Sequence, residues 1–155
     1  MSRCEDRLAE MGLVLPTPSA PVANYVPFVR TGNHVHVSGQ VSSDGNGRTK
    51  GTVGADLSIE EGIDAARLCG INLLAQMKAA AGDLDNVVRV IKLNAFVQAG
   101  SDFYDIPKVI NGCSDLMVAV LGDAGKHARS AVGMYKLPLG FAVEIDALIE
   151  VLDRR

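Results

Sequence analysis

Two charged side chains, Arg129 and Glu144, stand in apolar surroundings between His127 and Ala147. Two strand-like runs flank the turn Leu137-Pro138-Leu139-Gly140, and each run carries one of them. A charge on a half-buried strand is costly unless something pairs with it. A guanidinium fork matches a carboxylate bidentately, and a carboxylate can orient or activate water. The pair therefore supports a clamp for a substrate carboxylate beside a water-activating base. It supports equally a structural ion pair at an interface between subunits.

The elements that must position these residues follow from pattern. Tyr25–Arg30 and His34–Val37 flank Thr31-Gly32-Asn33, a hairpin signal. Ser42 to Gly54 is rich in Gly, Ser and Asn and reads as an exposed loop; Gly45-Asn46-Gly47 lacks the Lys-Ser/Thr ending of a P-loop. Ser58 and Glu61 form a capping box, and Ile59, Ile63, Ala66, Gly70, Leu73 and Met77 step along one helix face until Gly82 stops it. Ala66 and Gly70 thin that face, so the helix is expected to lie close to a sheet. Val87–Val97 reads as a central strand. A second helix with Pro107 near its first turn carries Ile106, Val109, Cys113, Leu116 and Val120 on one face and ends at Gly122. Arg129–Leu137 and Ala142–Val151 close the domain as strands. The order is ββ, α, β, α, ββ.

Alternation in the last run sets Val143, Ile145, Ala147, Ile149 and Val151 on one face and Glu144, Asp146, Leu148 and Glu150 on the other. Both helices are expected on the Val/Ile face, with Arg129 and Glu144 together on the opposite one, against another subunit. If the last two strands form a hairpin centred on Leu139, Arg129 lies opposite Ile149 and roughly 16–17 Å from the level of Glu144. A shared site would then draw the two from neighbouring subunits.

Bulk properties exclude several classes. The chain has 155 residues, enough for one domain with a real core, 48% apolar and 21% charged. No apolar run is long enough to span a membrane, and the first residues carry no secretory signal. Net charge is −3, no basic run exceeds two residues and there is no Trp, which argues against nucleic acid as a partner. Three widely spaced cysteines, Cys4, Cys69 and Cys113, fit a reducing cytoplasm; Cys69 and Cys113 read as core and Cys4 as an exposed thiol. His34 and His36 share a strand face without an evident third ligand, so no metal site is expected. Residues 1–19, with a short helix from Glu5 to Met11 and then Pro16 and Pro18, read as an N-terminal appendage to one domain over 20–155.

Arg129-Ser130-x-Val132, then Leu137-Pro138, then Val143-Glu144-Ile145 resembles the C-terminal signature of the RidA/YjgF family of imine deaminases. Asn24-Tyr25, Thr31-Gly32-Asn33 and Val37-Ser38-Gly39-Gln40 resemble that family's first hairpin, and Val109-Ile110-Asn111 a third segment. The resemblance covers roughly residues 20 to 152 and marks a divergent branch. It implies an α+β fold, a mixed six-stranded sheet with two helices on one face, assembled as a chorismate-mutase-like homotrimer with a site in each subunit cleft. It implies hydrolysis of 2-imino or enamine acids to 2-keto acids and ammonia. Arg129 would fix the substrate carboxylate, and the Ala131 carbonyl and Glu144 would place the water. Tyr25, Ser38 and Asn111 would line the pocket. No cofactor is expected, because the imine is already electrophilic. Ala131 stands where many relatives have cysteine, which argues against thiol chemistry and not against hydrolysis. His127 and Tyr135 also depart from the family. His127 is either a base at the pocket rim or a capping residue. A non-catalytic trimer that binds small carboxylates or a partner protein is the alternative reading. A chorismate-type mutase ranks below both, since no second arginine is clearly placed in the pocket.

Overall fold

A computed structural model describes residues 2–18, 20–21, 23–44 and 49–153. The architecture is α+β: a mixed five-stranded sheet with helices on one face. The helices are α1 (Arg3–Glu10), α2 (Ile59–Ala81) and α3 (Ile106–Leu121). The strands are β1 (Phe28–Thr31), β2 (His34–Val41), β3 (Val87–Gln98), β4 (Ala128–Met134) and β5 (Val143–Val151). Among the described residues no helix is long and apolar enough to cross a membrane.

Local chemistry explains the element ends. The Ser58 hydroxyl accepts from the Glu61 N–H at 3.1 Å while the Glu61 carboxylate accepts from the Ser58 N–H at 2.7 Å, the reciprocal cap expected of that sequence. Gly82 ends α2 with φ +82. The first strand is shorter than expected, because Tyr25 lies in a bend and pairing begins only at Phe28. Gly70 thins α2 as expected, but against α3 instead of the sheet: a Cβ there would meet Leu116 at 3.0 Å and the Cys113 sulfur at 3.2 Å. Gly112 of α3 approaches the Ile63 carbonyl of α2 more closely still. The two helices thus cross almost backbone to backbone.

The sheet order is β1-β2-β5-β3-β4, with β3 and β4 parallel and every other pair antiparallel. The expected hairpin between the last two strands does not form, because β5 lies between β2 and β3 while β4 flanks β3 on its far side. Two ladders hold β5 in that place, and the buried Gln98 at the end of β3 anchors the connection that leads to it. Its side-chain oxygen accepts from the Leu137 N–H at 2.9 Å, and its own N–H donates to the Ala142 carbonyl at 2.8 Å. The segment between Met134 and Val143 is therefore carried over the end of β3 and delivered to the other side. A short 3₁₀ turn at Pro138–Gly140, with Leu139 at φ +58 and Gly140 at φ +75, makes the bend.

The expected sixth strand is also absent among the described residues. The end of the 42–54 loop makes only isolated bridges, Lys50 to Phe141 and Val53 to Leu57 and Ala99. Gly51 at φ +135 and Gly54 at φ +84 interrupt the pleat there. Residues 45–48 of that loop lie outside the described residues.

The core sits between the helices and the face carrying Val35, Val37, Leu93, Ala95, Ile145, Ala147 and Ile149. The chain start joins it. Cys4, read from sequence as an exposed thiol, is 5% exposed, and Leu8 is 2% exposed. The Asp85 carboxylate accepts the Arg3 and Cys4 N–H groups at 2.9 and 3.0 Å, and Arg7 donates to the Val120 carbonyl at 3.0 Å. Burial, then hydrogen bonding to Asp85, push the Cys4 thiol up to about 12, so it stays protonated at neutral pH. Replacing Gly112 by Ala forces a methyl group against the α2 backbone and should cost about 1–3 kcal/mol, read as a lowered denaturant midpoint with an unchanged slope.

Candidate functional site

Paired residues in a sheet point to the same face, so the strand registers fix where the two charges go. Arg129 pairs with Leu93, and Leu93 pairs with the buried Ala147. Arg129 is therefore on the helix face. Glu144 pairs with Phe96, three residues from Leu93, and lies on the opposite face. The sequence-based expectation that both share the face away from the helices is overturned for Arg129. Two strand spacings and three residues along the strand separate their backbones by about 14 Å. Within one chain they do not meet.

Arg129 is held at a corner between β4 and α3. One terminal nitrogen donates to the Asn111 side-chain oxygen at 2.8 Å and to the Ser114 hydroxyl at 3.1 Å; the other donates to the Pro107 carbonyl at 3.2 Å. The Ser114 hydroxyl lies 2.9 Å from His127 Nε2, and His127 Nδ1 lies 2.6 Å from the Gly125 carbonyl. A carbonyl only accepts, so Nδ1 carries the proton, and in the neutral ring Nε2 accepts from Ser114. The Ser114 oxygen is then oriented to receive the Arg129 N–H. Three of the five N–H donors of the guanidinium are engaged, and 5 − 3 = 2 remain for an incoming group. No carboxylate bonds this arginine among the described residues, so the structural ion pair with Glu144 does not exist in the single chain. Ala131 follows two residues on, half-buried beside Ala95 on the same face.

Tyr25, Ser38 and Glu144 come together elsewhere, in a cavity of about 600 Å³. It lies where β2 has outrun its neighbour: β1 pairs no further than Val37, and a register shift between Val37 and Gln40 turns the strand end. The Ser38 hydroxyl donates to the Val26 carbonyl at 2.7 Å, and the Ser38 N–H to the Pro27 carbonyl at 2.9 Å, which brings Tyr25 to the wall. A Cβ on Gly39 would stand 2.7 Å from a Glu144 carboxylate oxygen, so a side chain there would displace the acid. Burial, and secondarily the nearby Asp146, raise the Glu144 carboxyl above its ordinary value of 4.5. That shift favours proton acceptance closer to neutral pH.

The six residues to which the sequence points fall into two groups: Arg129, Asn111 and Ala131 at one corner, and Tyr25, Ser38 and Glu144 in the cavity. The His127 ring, with two roles open to it from sequence, braces Ser114. Ser114 carries no sequence signal beyond its place three residues after Asn111, on the same face of the helix. Tyr135 is exposed and does not line the cavity. His34 and His36 are exposed on β2, and among the described residues no group of three metal-ligating side chains forms.

A fold of this topology with this pair of residue clusters defines a class, and sequence comparison places the chain within it. The protein belongs to the YjgF/chorismate mutase-like family, which it matches over residues 5–149. It is 47% identical to the protein TCP17 of Trypanosoma cruzi over 96% of this chain and 94% of that protein. It is 29% identical to a 2-iminobutanoate/2-iminopropanoate deaminase of Dermatophagoides farinae over 89% of this chain and 95% of that one. A protein of unknown function from Agrobacterium tumefaciens, solved by crystallography, superimposes with a TM-score of 0.90 at 48% identity over 96% of this chain and 92% of that one.

The raised Glu144 carboxyl carries a stability signature. The folded state holds its proton more tightly than the unfolded chain does, so this residue's contribution falls as pH rises from 4.5 through the folded value. Glu144→Gln should therefore melt at a higher temperature than the natural protein at pH 7. The difference should close as pH drops below 4.5. An equal difference at both pH values would contradict the assignment.

Proposed function

We propose that the protein hydrolyses reactive 2-imino acids, or their enamine tautomers, to 2-keto acids and ammonia in clefts between the subunits of a homotrimer. The observation that carries this reading is Arg129: braced on one side by Asn111 and Ser114, with two N–H donors left over and, among the described residues, no carboxylate to take them. Two parallel N–H groups on a fixed guanidinium suit the carboxylate of a 2-imino acid. The similarity to the mite deaminase supports the reaction class.

Separation of the two clusters favours assembly. Arg129 and Glu144 lie on opposite faces of one chain, so a site using both takes Arg129, Asn111 and Ala131 from one subunit and Tyr25, Ser38 and Glu144 from another. Exposed Val29, Val132 and Met134 on the open side of the sheet supply apolar surface for that contact. In the reaction Arg129 fixes the carboxylate. The Ala131 carbonyl and Glu144 hold a water near the imine carbon. Glu144 takes a proton from that water as its oxygen adds to the C=N carbon, and the nitrogen gains a proton as the carbinolamine forms. Collapse to the ketone expels ammonia. Positioning of this kind supplies a large part of such a rate gain.

The alternative is a trimer that binds small carboxylates without turning them over. Glu144 favours it to the extent that a half-buried acid can serve packing alone. An endoribonuclease would need a cationic track for phosphates; net charge is −3 and no basic run exceeds two residues.

A coupled assay separates the readings. An amino-acid oxidase generates imines, and semicarbazide trapping follows their disappearance. The natural protein should accelerate loss of the imine. Arg129→Ala and Glu144→Gln should each reduce kcat/KM by about 10²–10⁴-fold. Saturable carboxylate binding that depends on Arg129, without any acceleration, would select the binding protein. Light scattering should give 3 × 16.3 = 48.9 kDa; a monomer mass would sink the shared-cleft site.

A further inference from the structure

The cavity around Tyr25, Ser38 and Glu144 is far larger than a short imino acid requires. At about 600 Å³ it falls in the range that buries drug-sized ligands. Glu144, Ser38 and Tyr25 meet at the turned end of β2. The remaining walls are mainly apolar, with Asn72, Ser43 and Asp44 set among the apolar side chains. Leu68, Ile71 and Ala75 of α2 form one side, a stripe at helical spacing. Val14, Pro16 and Pro18 of the chain start form another, with Leu139 and Phe141 closing the third.

Two features mark this as a built space. The first is the wall from the chain start. Proline fixes φ and needs no N–H partner, so Pro16 and Pro18 let this stretch hold a shape without pairing to a strand. The second is Leu139. It adopts φ +58, a region that leucine rarely enters, and it is 76% exposed in a chain that buries most of its leucines. Glycine or asparagine would meet the backbone demand more easily. A bulky apolar side chain kept there against that demand serves whatever it faces, and it faces the cavity.

We propose that this space receives the substrate's side chain, and that the protein is selective for 2-imino acids carrying a bulky apolar group, aromatic or long aliphatic, over those derived from alanine or serine. Val14, Pro16 and Pro18 form the wall that sets the size limit. The reaction named here rests on the deaminase reading; the ligand class rests on the cavity alone. Each methylene newly buried in an apolar pocket raises affinity about fourfold, so a leucine- or phenylalanine-derived substrate gains at least tenfold over the alanine-derived one.

The test pairs turnover with binding. Imines of phenylalanine, leucine and alanine are generated by an amino-acid oxidase, and kcat/KM is compared for the natural protein, Leu68→Trp and Pro18→Gly. Leu68 is half-buried at the wall, so a tryptophan there fills the cavity without entering the core; an unchanged melting temperature checks this. Expected are a tenfold or greater preference for the bulky imines, its loss in Leu68→Trp, and a weakened preference in Pro18→Gly. In parallel, calorimetry with phenylpyruvate and pyruvate, both stable keto acids, reads binding without chemistry. Phenylpyruvate bound at least tenfold more tightly, with that advantage lost in Leu68→Trp, supports the cavity even if no imine is hydrolysed; the deaminase reading then falls by itself. Turnover that prefers the alanine imine, or a bulky preference untouched by Leu68→Trp, overturns the inference and leaves the deaminase reading standing.

Discussion

The side chain of Gln98 ties together the two connections that pass the end of β3. It is 4% exposed, and an amide so buried must find partners for both ends or cost several kcal/mol. Its oxygen takes the Leu137 N–H; its nitrogen gives to the Gly51 carbonyl at 3.0 Å and the Thr52 hydroxyl at 3.2 Å. Its backbone N–H and carbonyl reach Ala142 and Val53. One residue thus ties the 49–54 loop and the 135–142 connection to the end of β3. Those bonds hold the connection through Leu139 across the end of β3, while the ladders of β5 with β2 and β3 occupy both of its edges.

That crossing has a geometric result for the chemistry. It leaves β4 beside α3, where Arg129 can reach Asn111 and Ser114, and puts β5 in the middle of the sheet, where Glu144 faces the turned end of β2. Glycine does the complementary work. Gly39 yields its volume to the Glu144 carboxylate, and Gly112 lets α3 lie on α2, which fixes the height of Asn111 and Ser114 above β4. Each charged group is positioned by a place where a side chain is missing.

Much of this was legible in the residues themselves. The capping box at Ser58, the stop at Gly82, the alternation of β5 and the faces of α2 and α3 are local patterns, and they hold. The strand pairing was not legible, because adjacency in sequence favours a hairpin, and what overrules it is long-range: the ladders of β5 with β2 and β3, and the Gln98 amide at the crossing. The error passed to the site. Arg129, Ala131 and Gly133 alternate correctly along their strand, but which face they occupy depends on the partner strand, and the assumed partner was wrong. Cys4 was misplaced for a related reason: a short polar helix carries few signs of burial until Asp85 receives its first N–H groups. His127 was visible as an unusual residue, yet its contact runs through Ser114, a residue with no signal beyond its spacing from Asn111.

Among the described residues β4 is the last strand on its side of the sheet, with a ladder to β3 alone. An outer strand of seven residues carrying Val132 and Met134 offers a template on which another chain can add. Nothing in Ala128–Met134 blunts it: no proline, and one charge, which is turned inward to α3. The same strand that holds the arginine is therefore the place where dilution, heating or a mutation that loosens assembly would first turn an orderly protein into a sticky one.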